Sequence, residues 1–152
     1  MPTTRRSRTI AAPAEDLWEV IHDPHHLPRW WPRVSRVEDV EQDEFTEVLK
    51  TAKGKMVRAD FQIAEADERE RRVKWTQRVE GTPFARVLKS AETEIGLAAV
   101  DGGDSPATDV TIELRQVLHG VFPHIGGYMV RRAARRTVDE ALDGLERIGG
   151  GA

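Results

Sequence analysis

The order of the predicted elements constrains the fold of this chain more than any single motif does. A first strand over residues 7–12 is followed by a short helical segment, 13–31, that ends in two tryptophans. A long strand-rich middle comes next, and an amphipathic helix over about residues 123–148 closes the chain. This order favours a curved antiparallel sheet packed against the last helix, and a gap between such a sheet and its helix is a natural pocket for a small molecule.

Composition and charge restrict the functions that this chain can serve. With 152 residues, of which 39% are apolar, the chain is expected to fold as one domain over residues 1–152, with an ordered core at about 7–148. The absence of cysteine excludes disulfides, thiolate nucleophiles and cysteine-based zinc sites. A net charge of −3 disfavours nucleic acid as a partner. Because the sequence has no run of about 20 apolar residues and no apolar leader, we expect no membrane span and a cytoplasmic location. A homodimer is left open.

Alternating apolar and polar side chains predict the strands of the sheet. The period of two runs through residues 34–40, 45–51, 57–63, 73–79, 85–100 and 110–118. Turns are predicted at Gly54 and Gly81, and a bulge is predicted near Val87, where the alternation is least regular. One face of the sheet is therefore expected to be buried and the other to face water, as antiparallel sheets allow.

Five short segments carry a resemblance to a known family. They are IAAPAEDLWEVI at residues 10–21, PRWWP at 28–32, VRADF at 57–61, WTQ at 75–77 and EGTPF at 80–84. With them the chain resembles the SRPBCC or START-like superfamily, which contains the birch-pollen-allergen-like proteins, and more narrowly its small bacterial polyketide cyclase/dehydrase-like or lipid-transport-like members. The resemblance implies an α+β helix-grip fold, in which a seven-stranded curved antiparallel sheet wraps around a long C-terminal helix and two short helices follow the first strand.

The predicted inner face of the sheet carries the candidate ligand-binding residues. Three polar side chains, those of Gln77, Thr93 and Gln116, fall among apolar ones on this face. Burying an unpaired polar group costs on the order of 1–3 kcal/mol, so each needs a partner, either a ligand or one of the other two. A register shift by one residue would instead turn all three outward. Residues expected to face the same gap complete the predicted ligand-binding set, which is Trp31, Phe61, Trp75, Gln77, Thr93, Gln116, Tyr128 and Met129.

No clear catalytic motif is present in the sequence. Tyr128 and His124, near the start of the last helix, are weak candidates for moving protons. Glu92 and Glu94 are alternative acids, but the alternation of their strand places them on its outer face.

No metal and no other cofactor is expected. Three histidines crowd the first helical segment, but Pro24 breaks the helical register that would aim their rings at one ion. The arginine-rich face of the last helix has acids four residues away, in the pairs Arg135–Asp139, Arg136–Glu140 and Asp143–Arg147. Such spacing indicates a solvated face laced by ion pairs.

Together these patterns favour a protein that binds or transports a small hydrophobic or aromatic molecule, lipid-like or polyketide-like, in an internal cavity. Two alternatives remain from the resemblance. One is an enzyme of the polyketide cyclase, aromatase or dehydratase type, and the other is an interaction module of the chaperone-activator kind that docks through the arginine-rich helix.

Overall fold

The computed structural model describes residues 3–100, 103–119 and 124–149. More residues lie in strands than in helices, and a long helix follows the last strand. In chain order the elements are β1 (Thr3–Ile10), α1 (Ala14–Ile21), a 3₁₀ turn (Pro24–His26), α2 (Leu27–Trp30), β2 (Val34–Glu38), β3 (Glu44–Lys50), β4 (Met56–Asp67), β5 (Arg72–Gln77), a second 3₁₀ turn (Pro83–Arg86), β6 (Leu88–Val100), β7 (Ala107–Leu118) and α3 (His124–Gly149).

The strands form one curved antiparallel sheet. Its order is β1-β7-β6-β5-β4-β3-β2, so each strand from β2 to β6 pairs with the next along the chain, and β1 pairs with β7. The long helix and the two short helices after β1 complete a helix-grip arrangement, which confirms the predicted fold. None of the helices in the described ranges is long and apolar enough to cross a membrane.

Local chemistry sets the ends of the short helices. Pro13 is extended, with φ −64° and ψ 143°, and it precedes a first turn that contains Glu15 and Asp16, where the helix dipole favours acids. The Asp23 side chain accepts a hydrogen bond from the backbone N–H of His25 at 3.0 Å and starts the next turn. Trp31, which precedes a proline, is extended and ends α2.

The core fills one end of the molecule. In the second half of α3, Val138, Ala141, Leu142 and Leu145 are at most 1% exposed, and they belong to one cluster with buried residues of the sheet and of α1 and α2. Gly144 lies against α2, since a Cβ built at that position would be 2.3 Å from the carbonyl oxygen of Trp30. A side chain would prevent this close approach of the two helices.

Ion pairs attach α3 to the edge strand β1. Arg8 donates to Asp143 at 2.6 Å, and Arg6 lies 3.6 Å from Asp139. Of the predicted pairs within the helix, Arg136–Glu140 is present at 2.9 Å. The predicted pairs Arg135–Asp139 and Asp143–Arg147 are wrong, because in the described structure both acids pair with arginines of β1 instead of arginines of the helix.

The sixth strand is shorter than predicted at its start. Residues 85–87 were expected to be extended, but they lie in or directly after the 3₁₀ turn that Pro83 begins, and β6 starts at Leu88. The pairing of β6 with β7 shifts register between Leu88 and Ser90, which confirms the predicted bulge to within a few residues.

Candidate ligand-binding cavity

A cavity of about 1100 Å³ lies at the other end of the molecule. Its floor is the inner face of β3 to β7, and its roof is the first half of α3. The segment after α2 and the second 3₁₀ turn close its sides. The cavity reaches the surface, because exposed residues such as Lys50, Ala52 and Pro83 belong to its lining.

Small side chains on α3 leave this space empty. The residues of α3 that line the cavity include Ala133, Ala134 and Thr137, whereas the half of the helix that packs the core presents Val138, Leu142 and Leu145. The short side chains in the first half of α3 cannot fill the space between the helix and the sheet, as the larger side chains in its second half do. The same helix therefore fills one end of the sheet and leaves the other end hollow.

Aromatic side chains form the wall between the core and the cavity. Trp31 meets Trp75 edge to face, with ring centroids 6.0 Å apart, and Phe45 meets Trp75 in the same way at 5.9 Å. Phe45 and Phe61 stack at 5.2 Å. These edge-to-face and stacked contacts fix the rings in place and give the cavity a rigid apolar surface.

Six of the eight predicted ligand-binding residues line this cavity. They are Trp31, Phe61, Trp75, Gln77, Thr93 and Gln116. The strand register explains why they meet, since Trp75 pairs with Thr93 and Phe61 pairs with Gln77 on neighbouring strands. Their role in binding stays a prediction.

The three predicted polar residues do not satisfy one another. No hydrogen bond joins Gln77, Thr93 and Gln116 within the described residues, and the Nε2 atom of Gln77 is buried without any acceptor there. A buried donor that has no partner costs on the order of 1–3 kcal/mol. An acceptor brought by a ligand or by water would remove this cost.

Glu47 is a buried acidic residue of the cavity that sequence reasoning missed. Its side chain lines the cavity, its residue is only 3% exposed, and no hydrogen bond or ion pair joins it to another described residue. Burial raises the pKa of the Glu47 carboxyl to about 8, because the surroundings disfavour the charged form. Among the described lining residues Glu47 alone is acidic.

The alternation of β3 contains the signal for Glu47. Phe45 and Leu49 share the inner face of this strand, and Glu47 lies between them at the same period of two. A carboxyl that shares its face with a buried phenylalanine and a half-buried leucine lies on the inner face of the strand, and Val48 on the opposite face is buried as well. The pattern is visible in the sequence, although an acid in a strand is usually assigned to the wet face.

The other two predicted ligand-binding residues, Tyr128 and Met129, are not among the described residues that line the cavity. Tyr128, which is also one of the two weak catalytic candidates, is 51% exposed, and Met129 is 63% exposed. The side chain of His124 lies outside the described residues. Glu92 and Glu94 point away from the cavity and accept hydrogen bonds from Arg115 at 2.5 and 2.9 Å. Because both acids contact Arg115, they belong to an ion-pair network on the outer face of the sheet. The hydrogen bond from Arg115 lowers the pKa of Glu94.

The Nδ1 atoms of the three crowded histidines have different nearest partners. The Nδ1 atom of His22 lies 2.7 Å from the carbonyl oxygen of Trp18, that of His25 lies 2.8 Å from Asp23, and that of His26 lies 3.0 Å from Arg29. Within residues 3–100, 103–119 and 124–149, no three histidine or acidic side chains are grouped as a metal site requires.

Comparison with known proteins places this arrangement among its relatives. The model of the family described as polyketide cyclase/dehydrase and lipid transport matches residues 1–148. An aromatase/cyclase, Zhui, from Streptomyces sp. R1128 has a similar structure, with a TM-score of 0.75, 18% identity, and coverage of 95% of this chain and 90% of that one. A START superfamily protein from Mycobacterium smegmatis gives a TM-score of 0.71 at 15% identity, covering 95% and 94% of the two chains.

Two further results complete the comparison. The di-domain ARO/CYC BexL from the BE-7585A biosynthetic pathway gives a TM-score of 0.78 at 21% identity over 96% of this chain, and the match spans 45% of the BexL chain. At these identities the structural likeness establishes the fold alone. No functionally curated protein sequence shows significant similarity to the chain.

Proposed function

This chain belongs to the polyketide cyclase/dehydrase and lipid transport family, and on that premise we propose that it binds a small, mostly apolar molecule in the cavity under α3. The observation that carries the proposal is the cavity itself. Its volume of about 1100 Å³ is at the upper end of typical ligand sites, and its wall combines aromatic rings with a few polar groups.

Burial of apolar surface supplies the affinity in this proposal. Each Å² of apolar ligand surface removed from water contributes about 25 cal/mol, so a ligand that buries about 300 Å² gains roughly 7 kcal/mol before the cost of ordering it is subtracted. Gln77, Thr93 and Gln116 orient the bound molecule through hydrogen bonds. The rigid aromatic wall of Trp31 and Trp75 reduces the ordering cost on the protein side.

Filling the cavity tests the proposal. The probe is N-phenyl-1-naphthylamine, a neutral apolar dye that fluoresces when it leaves water. We compare Ala91→Phe, which places a ring in the cavity from the inner face of β6, with Ala98→Phe, which makes the same change on the exposed face of that strand. The expected result is saturable binding by the parent protein and by Ala98→Phe, and a loss of at least tenfold in affinity for Ala91→Phe.

Thermal unfolding of each variant checks that it is folded. A parent protein that takes up no apolar probe, or two variants that bind equally well, would contradict the proposal. Native mass spectrometry of the purified protein supplies an independent readout, since an ordered co-purifying small molecule would identify the natural ligand.

A second candidate function is catalysis of the cyclase or dehydratase type. The observation that favours it is Glu47, a carboxyl in an apolar cavity whose raised pKa suits proton transfer close to neutral pH. Turnover of a cyclisable polyketone that is abolished in Glu47→Gln would support this candidate. If the protein binds that compound but does not convert it to a product, the result would contradict catalysis and support a binding or transport function.

A further inference from the structure

Resting on that binding function, we propose that the cavity selects neutral ligands with a carbonyl oxygen, which accepts a hydrogen bond from the Glu47 carboxylic acid. The site consists of the inner face of β3 around Glu47 and the apolar residues that surround it. If no ligand binds in the cavity, the proposed function fails; if ligands bind without regard to their oxygen, only this inference fails.

Apolar neighbours surround Glu47 in the sheet. On the flanking strands it pairs with Val37 and Ala59, and on its own strand Phe45 and Leu49 share its face. The residue is 3% exposed and is among those that line the cavity. Its carboxyl therefore has the cavity as its environment, and in the described part of the chain it has no polar partner.

The charged groups near the cavity do not pair with Glu47. Arg33 from the segment after α2, Lys50 at the end of β3, and Arg136 from α3 are the cationic members of the described lining. All three residues are exposed, and Arg136 donates to Glu140 instead. They lie where the cavity meets solvent, and none forms an ion pair with Glu47.

Charged side chains of the flanking strands lie on the opposite face of the sheet. Arg58 of β4 pairs with Glu38 of β2 there, and Asp60 of β4 accepts a hydrogen bond from Thr46 at 2.6 Å. No opposite charge therefore offsets the cost of burying a Glu47 carboxylate, and the carboxyl is held in its neutral form near pH 7.

A neutral carboxyl in an apolar wall presents an O–H donor to whatever fills the cavity. The Nε2 atom of Gln77 is a second buried donor without a partner on the same surface. Glu47 and Gln77 lie two strands apart, which is roughly 10 Å, so they serve different acceptor atoms. Both groups require acceptors, and a carbonyl oxygen is a neutral group that accepts hydrogen bonds through two lone pairs and donates none.

Three probes of nearly equal shape distinguish the ligand classes. They are 2-acetylnaphthalene, which has the carbonyl, 2-ethylnaphthalene, which has no polar atom, and 1-(2-naphthyl)ethylamine, which is cationic at neutral pH. Their affinities are measured by displacement of N-phenyl-1-naphthylamine from the parent protein and from Glu47→Leu. We expect Glu47→Leu to lower the affinity for the ketone relative to the ethyl compound by roughly five- to tenfold, which is the usual effect of one hydrogen bond.

The pH dependence of ketone binding gives a second readout. The hydrogen bond to the ketone requires the protonated carboxyl, and a carboxylate at the same place repels the ketone oxygen. The affinity is therefore constant below about pH 7 and falls by up to tenfold per pH unit once the pH exceeds about 8. Glu47→Gln keeps an N–H donor at the same place and does not titrate. It is expected to bind the ketone near pH 7 with similar affinity and to lose the fall at high pH. Glu44→Gln, an exposed change on the same strand, keeps the parent profile.

Several results would overturn the inference while leaving the proposed function intact. One is an unchanged ratio of ketone to ethyl affinity in Glu47→Leu. Another is a fall with pH that persists in Glu47→Gln. Tightest binding of the amine, with affinity that rises between about pH 6 and pH 9, would instead identify an anionic subsite for cations. If Glu47→Leu does not fold, the pH profiles of the parent and Glu47→Gln decide the question.

Discussion

Glu47 ties the folding stability of the protein to pH. Its carboxyl has an ordinary pKa of 4.5 when exposed in the unfolded chain, and burial raises the pKa to about 8 in the folded state. Between these values the folded state binds more protons than the unfolded state, so the free energy of unfolding decreases as the pH rises. At about 1.4 kcal/mol per pH unit, the loss from about pH 4.5 to pH 8 is on the order of 4 kcal/mol.

Replacing Glu47 by glutamine is expected to remove this loss. The neutral amide resembles the protonated acid, so Glu47→Gln and the parent should have similar unfolding free energies near pH 5, and the variant should be more stable by a few kcal/mol near pH 9. Urea unfolding at both pH values measures the difference. The lowered pKa of Asp23 and that of Glu94 are common to both proteins and affect stability only in more acidic solutions. A difference that is independent of pH would show that Glu47 is not buried as described.

Individual side chains were predictable from the sequence wherever the strand alternation fixed their direction. Gln77 and Thr93 lie on the cavity wall because the period of two in β5 and β6 was assigned correctly. The alternation of β3 held the same information about the direction of Glu47. The free-energy cost of burying its carboxyl depends on whether a polar partner lies nearby, and only the folded structure shows this. Tyr128 was assigned by its proximity to the start of the helix, which does not define a direction.

Close packing of α2 against α3 determines how the helix lies across the sheet. A Cβ at Gly144 would approach the Trp30 carbonyl oxygen to 2.3 Å and the Trp30 Cα to 2.8 Å, and backbone atoms cannot move aside as flexible side chains can. We therefore expect Gly144→Ala to lower the unfolding free energy by about 2–3 kcal/mol.

Thermal unfolding of Gly144→Ala and of Gly96→Ala checks this expectation. A Cβ at Gly96 would have nothing within 4 Å, so the same chemical change there should be nearly neutral. Equal effects of the two substitutions would mean that the loss of backbone freedom, and not the contact between the helices, determines the result.

Elements were predicted well where local patterns decide them and poorly where distant parts of the chain do. The order of strands and helices follows from side-chain periodicity, and α3 begins and ends within one residue of the predicted bounds. The start of β6 was predicted too early, because the turn that Pro83 begins extends to Arg86 and the sequence was assigned a shorter turn at Gly81. The partner of Asp143 was wrong for a different reason, since Arg8 is remote in sequence and close only in the fold.

The protein as a whole divides its stability and its binding capacity between two ends. At one end the second half of α3, α1 and α2 pack against the sheet in a closed core. At the other end the first half of α3 spans a cavity, where the apolar contacts that a filled core would supply are absent. An empty cavity costs stability, and a bound ligand returns part of it. Function in this fold therefore depends on leaving one end of the sheet unfilled.

Hydrogen exchange should reveal this division directly. Without ligand, amides around Val138, Ala141 and Leu145 in α3 should exchange only through global unfolding, whereas those around Ala133 should exchange through smaller local openings. Saturation with N-phenyl-1-naphthylamine at about 100 times its dissociation constant stabilises the folded state by about 2.7 kcal/mol. The added protection should be largest in the first half of α3 and in β3 near Glu47. Protection that increased mainly around Leu145 would contradict binding in this cavity, because Leu145 lies in the closed core. At the same probe concentration Ala91→Phe, which is expected to bind the probe at least tenfold more weakly, should show less added protection.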